Sequence, residues 1–158
     1  MDGRSYIVEA VRTPIGSFGG QLSNFSAPEL GASVIKETIR RFEQEQIMKN
    51  VVEEVILGNV LSAGIGQAPA RQAALLSGLP DKVECLTINK MCGSGLKAVM
   101  LADQAISTNS AGVVIAGGAE SMSNAPYLVP KDISRFGHKR MIDSMIHDGL
   151  WDAYNDMH

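Results

Sequence analysis

The residues best suited to chemistry lie between Leu86 and Met100. Leu86-Thr87-Ile88 is a short apolar run rich in β-branched residues and reads as a strand. It breaks at Cys92-Gly93-Ser94-Gly95, and helical spacing resumes through Leu96, Val99, Met100 and Ile106. Cys92 therefore falls in the turn between a buried strand and the first turn of a helix. Backbone N–H groups without helical partners and the positive end of the helix dipole favour an anion at such a place, and thiolate is the nucleophilic form of cysteine. The flanking glycines allow a sharp turn and the close approach of another molecule. Position alone leaves two readings open, a reactive thiol or a small buried hydrophobe.

The surrounding elements follow from periodicity and punctuation. Ser5 to Val11 reads as a first strand, and Arg12 to Ser23 as a Gly-rich loop without the pattern of a phosphate cradle. Ser26-Ala27-Pro28-Glu29 forms a capping box. The helix it opens carries Leu30, Val34, Ile35, Ile39 and Phe42 on one face, with Lys36, Arg40, Arg41 and Glu43 mainly on the other. A second strand is expected within Val51 to Leu61, a helix over Gln67 to Leu76, and a third strand over Val83 to Asn89. The helix after Cys92 is expected to run to Gly112. Val113 to Gly118 is a fully apolar fourth strand of the kind found in a sheet covered on both faces. Strand alternating with helix specifies an α/β fold, βαβαβαβ, with a mostly parallel sheet and right-handed crossovers. After Met122 the pattern turns irregular, with a short helix expected over Met141 to Ile146.

The 158 residues fit one domain of ordinary size; 45% are hydrophobic and 20% charged, as in a soluble globular protein. A formal charge of −3 and the lack of a long basic cluster argue against a nucleic-acid partner. No apolar run is long enough to span a membrane, and no signal-peptide pattern opens the chain, so a cytoplasmic, reducing setting is expected. Cys85 and Cys92 are too few for a disulfide framework, and their spacing without neighbouring histidines does not suggest a metal site. Cys85 reads as a core residue, and His138 and His147 as surface loop residues.

Asn89-Lys90-Met91-Cys92-Gly93-Ser94-Gly95-Leu96-Lys97-Ala98 resembles the nucleophile segment of the thiolases, which join or cleave acyl-coenzyme A molecules at the β-carbon. Val11-Arg12-Thr13-Pro14-Ile15-Gly16-Ser17-Phe18-Gly19-Gly20 resembles that family's N-terminal signature. Gly58-Asn59-Val60, Gly64 to Arg71, and Ala116-Gly117-Gly118-Ala119-Glu120-Ser121-Met122-Ser123 resemble three further blocks in the family's order. The resemblance covers essentially the whole chain. It implies a thiolase-like fold, with residues 1–120 forming the N-terminal half of the core and 121–158 the beginning of an inserted loop domain, in which the chain stops. A half-core of this kind is expected to leave one side of its sheet layer uncovered.

By the same resemblance, Cys92 is the nucleophile that carries the acyl group as a thioester, and its backbone N–H is an oxyanion donor. Gly93 stands where the family also uses alanine. Leu150 and His158 match positions that line the channel for the pantetheine arm of coenzyme A, and Met122 and Asn89 either shape the surroundings of the nucleophile or serve as packing and strand-end residues. The family's activating histidine, second cysteine and oxyanion asparagine belong to its second half, outside the blocks matched here. Pro126 and Tyr127 resemble the short-chain type. The implied function is therefore that of an acetyl-CoA C-acetyltransferase, with acyl-CoA as substrate, no further cofactor, and a homodimer or homotetramer as the assembly. The alternatives are a longer-chain 3-ketoacyl-CoA thiolase and a non-catalytic chain that binds acyl-CoA or docks with a partner.

Overall fold

A computed structural model of the chain describes residues 4–42, 45–131 and 136–158, and the side chains of 45–47 are not described. Helix α1 (Ala27–Arg40) begins as the capping box predicts. The Ser26 N–H donates to Glu29 Oε2 at 2.7 Å, and the Glu29 N–H donates back to Ser26 Oγ at 3.4 Å. Helix α2 (Glu45–Val51) precedes β1 (Glu54–Gly58), followed by α3 (Pro69–Leu76), β2 (Glu84–Ile88), α4 (Ser94–Ser107) and β3 (Val114–Gly118). Glu43, expected on the charged face of the first helix, lies outside the described residues.

The three strands form a parallel sheet in the order β2-β1-β3, with Gly58 of β1 level with Ile88 of β2 and Gly118 of β3. The chain thus crosses one way through α3 and returns past β1 through α4. Right-handed crossovers in opposite directions put those two helices on opposite faces. On one face Ile35 and Ile39 of α1 and Ala70, Ala73 and Ala74 of α3 pack with Val55 and Leu57. On the other, Ala98 and Ala102 of α4 pack on Ile56. The face under α1 and α3 is covered, whereas the α4 face is covered only in part, with Leu86 of β2 42% exposed, where a half-core is expected to leave a whole side uncovered. Apolar surface also lies on the outside of α4, where Leu96, Val99 and Met100 are exposed at helical spacing.

Four expectations are corrected. Residues 5–11 form no strand: they have no ladder partner among the described residues, and Tyr6, Ile7 and Val8 are 71%, 83% and 72% exposed. An apolar alternation becomes a strand only where another strand takes up its backbone groups. This segment is held instead by side chains, with Ser5 Oγ donating to Asp103 Oδ1 at 2.5 Å and Arg41 pairing with Glu9 at 3.1 Å. Val51 closes a helix, and the second strand of the sequence reading shortens to Glu54–Gly58. Helix α4 ends at Ser107, not at Gly112, because Asn109 turns left-handed (φ 58°) and Ser110 N–H returns to Ala105 O. Residues 141–146 are divided between a strand and a helical turn. β4 (Tyr127–Leu128) pairs antiparallel with β5 (Ile142–Asp143), and a π-type turn follows over Met145–Leu150.

Among the described glycines, the closest approach is between the start of α4 and the carboxyl ends of β1 and β3. A Cβ on Gly58 would lie 2.6 Å from both the carbonyl carbon and Cβ of Ser94. A Cβ on Gly118 would lie 3.2 Å from Gly58 O and 3.3 Å from Gly95 Cα. Only hydrogen fits at Gly58, because the obstructing atoms include backbone that cannot rotate away. Gly58→Ala is therefore expected to lower the unfolding free energy by about 1–3 kcal/mol or more, read as a lower urea midpoint at unchanged slope. An unchanged midpoint would mean that the seam yields without cost.

Candidate active site

Cys92 lies between the end of β2 and the start of α4, and its side chain is exposed. Five polar contacts shape the turn around it. The Met91 N–H donates to Asn89 Oδ1 at 2.9 Å, and the Lys90 N–H donates to Ser94 Oγ at 2.8 Å. Ser94 Oγ in turn donates to Met91 O at 2.6 Å. The backbone closes on itself through Gly93 N–H to Lys90 O at 3.1 Å and Ser94 N–H to Met91 O at 3.0 Å. Met91 takes a left-handed conformation (φ 49°), which a side chain adopts only when its surroundings require it. Two N–H groups of the helix start are thus consumed by the turn, whereas the Cys92 N–H has no acceptor among the described residues. That leaves a free donor beside the sulfur.

A cavity of about 340 Å³ opens over Cys92. Its floor is the glycine seam, Gly58, Gly95 and Gly118, and its walls include Leu61, Met122 and Leu150. The site sits at the carboxyl ends of parallel strands, where open α/β sheets place their ligands.

Glu120 braces this cavity. Its carboxylate accepts from Asn59 Nδ2 at 2.8 Å, from the Leu61 N–H at 2.9 Å and from the Val60 N–H at 3.0 Å. Asn59 Nδ2 also donates to Ala119 O at 3.0 Å, so the exits of β1 and β3 are tied across one another. The Asn59 side-chain oxygen is buried and has no hydrogen-bond partner among the described residues. The next residues latch the N-terminal loop: Ser121 Oγ donates to Phe25 O at 2.7 Å, Asn124 Nδ2 donates to Ser23 O at 2.9 Å, and the Gly19 N–H donates to Ser123 Oγ at 2.9 Å. Ser144, fully buried, donates through its hydroxyl to Pro126 O at 2.6 Å. This contact anchors the helical turn that carries Gly149 and Leu150 to the cavity rim.

The residues predicted from the sequence divide accordingly. The structure brings Leu150 and Met122 to the Cys92 cavity and sets Asn89 at the start of the turn. His158 stands apart from the cavity lining, its ring edge-on to Trp151 with centroids 4.8 Å apart. Cys85 is half-buried in β2, and burial pushes its thiol above the ordinary range, the nearby Arg71 opposing this more weakly. His138 and His147 are exposed. Sequence reasoning missed Glu120, Leu61 and Gly149. Glu120 had a readable signal, a lone carboxylate directly after a strand of apolar and small residues. Leu61 and Gly149 had none.

The family described as thiolase, N-terminal domain, matches residues 5–158. An acetyl-CoA acetyltransferase of Pseudomonas aeruginosa is 55% identical over 154 residues, which are 96% of this chain and 38% of that protein. One from Schizosaccharomyces pombe is 49% identical over 154 residues, again covering 96% and 38%. A crystal structure of the Acat5 thiolase from Ascaris suum in complex with coenzyme A superposes with a TM-score of 0.86 at 44% identity, covering 92% of this chain and 37% of that one. The chain thus spans less than two-fifths of the length of these relatives.

Proposed function

The chain belongs to the thiolase family, and on that premise we propose that it is the nucleophile-bearing portion of an acetyl-CoA C-acetyltransferase. The reaction is the reversible Claisen condensation of two acetyl-CoA molecules to acetoacetyl-CoA and coenzyme A. The observation that carries the proposal is the presentation of Cys92, an exposed sulfur beside its own unused N–H, over a cavity at the carboxyl ends of three parallel strands. In the first half-reaction Cys92 Sγ attacks the thioester carbonyl carbon of acetyl-CoA. The carbonyl oxygen gains negative charge and the Cys92 N–H donates to it. The bond to the coenzyme A sulfur then breaks, leaving acetyl on Cys92 and releasing coenzyme A, which takes up the proton.

Leu150, on the cavity rim, is assigned to the pantetheine arm, and His158, packed on the neighbouring Trp151, to the outer end of that channel. No helix among the described residues is long and apolar enough to cross a membrane. A free thiol nucleophile requires a reducing setting, which supports placing the work in the cytoplasm. The exposed stripe of Leu96, Val99 and Met100 and the unpaired outer edge of β2 support association into a homodimer or homotetramer.

Intact mass after incubation with acetyl-CoA is expected to rise by one acetyl group in the wild-type chain and not in Cys92→Ala. A wild-type chain that gains no acetyl group, or a gain retained in Cys92→Ala, would overturn the assignment. In sedimentation velocity the chain is expected to run as a dimer or larger, and a monomer would contradict the assembly.

A further inference from the structure

A second cavity, of about 380 Å³, lies between the start of α1 and residues 61–65 and 121–126. Its lining mixes Ser26, Glu29 and Gln72 with Ala63, Ile65 and Pro126. Leu61 is the one described residue that lines both cavities. Its side chain is almost fully buried, and its N–H is pinned by the Glu120 carboxylate. On the side of the Cys92 cavity the backbone of Gly149 comes so close to it that a Cβ there would lie 3.1 Å from Leu61 Cδ2. A branched apolar side chain fixed at both its backbone and its tip, with space on either side, is a partition.

We propose that Leu61 limits the length of the acyl group that Cys92 can carry. This deepens the acyl-transfer reading and rests on it. With coenzyme A leaving toward solvent, the acyl chain must point inward, and a two-carbon acyl group ends before Leu61. A six-carbon group needs the space that Leu61 closes off. Removing the side chain joins the two cavities and admits the longer chain. The position holds no chemistry; it selects by volume.

Two readouts test this, one of them independent of acyl transfer. In the first, acetyl-CoA and hexanoyl-CoA compete for Cys92, and intact mass gives their ratio. Leu61→Ala is expected to raise the hexanoyl share relative to wild type by about tenfold or more, the range that extra methylenes command in an apolar pocket. Leu61→Val, which disturbs folding less, is expected to shift it in the same direction. In the second, Cys92 is treated with methyl or hexyl methanethiosulfonate. The cysteine sulfur forms a disulfide with the alkylthio group, the bond to the sulfonyl sulfur breaks, and methanesulfinate leaves with the proton.

Peptide mapping selects preparations modified at Cys92 and not at Cys85. In Leu61→Ala the hexyl adduct is expected to melt about 4 °C or more above the methyl adduct, because the chain is buried in the joined cavity. In wild type the two are expected to melt together. Equal melting of the two adducts in folded Leu61→Ala, or an unchanged acyl ratio, would overturn the proposal. If acetyl-CoA fails to label the wild-type chain while the adducts separate as expected, the partition stands and the acyl-transfer reading falls.

Discussion

The structure depends on a contact between backbones. At the carboxyl ends of β1 and β3, Gly58 and Gly118 meet the first turn of α4 at distances that leave no room for a side chain at Gly58 and little at Gly118. That approach sets the start of α4 directly on the sheet, so the connection from β2 must turn within a few residues. Met91 accepts a left-handed conformation to do so, and Ser94 bonds to both Lys90 and Met91 to hold the turn. Cys92 stays exposed in that turn, with Met91 beside it, while Ser94 beneath is buried against the seam. The exposure of the sulfur and the tightness of the seam are one feature.

Around the seam the structure uses charge and hydrogen bonding where apolar packing would be too blunt. The Glu120 carboxylate gathers three donors from the exit of β1, and charge-assisted hydrogen bonds of this kind are stronger than neutral ones. The segment that follows it is stitched to the N-terminal loop by Ser121, Ser123 and Asn124. Ser144 hangs the last helical turn on Pro126. These contacts join segments as far as 104 residues apart, and the Ser144 contact holds the turn that brings Gly149 and Leu150 to the cavity over Cys92. The arrangement sets an exposed thiol with a free donor beside it on a cavity with apolar walls, which supports the proposed capture of a small acyl group.

Much of this was legible in the residues, for physical reasons that differ from element to element. The strand-turn-helix around Cys92 is written in local periodicity and glycine placement, and the capping box at Ser26 and Glu29 is a purely local bond pattern. The residues at 5–11 misled because alternation describes one strand, whereas a ladder needs two. Gly112 misled because Asn109 supplied the left-handed residue three positions earlier. The glycines at 58 and 118 were visible as motif members. Their role was not, since it depends on α4 lying across strand ends distant in sequence. Leu61 and Gly149 meet only in three dimensions.

On the proposed acyl-transfer reading, the seam, by seating α4, sets the reactivity of Cys92. Its most direct test compares the rate of Cys92 acetylation by acetyl-CoA in Gly118→Ala and Gly93→Ala. An added Cβ at Gly118 presses on Gly58 O and Gly95 Cα, while at Gly93 it meets Lys90 O at an ordinary 3.5 Å. Gly118→Ala is expected to remain folded and to acetylate about tenfold or more slowly, as small misplacements of a reacting group do, while Gly93→Ala keeps the wild-type rate. A folded Gly118→Ala chain that acetylates at the wild-type rate would contradict it.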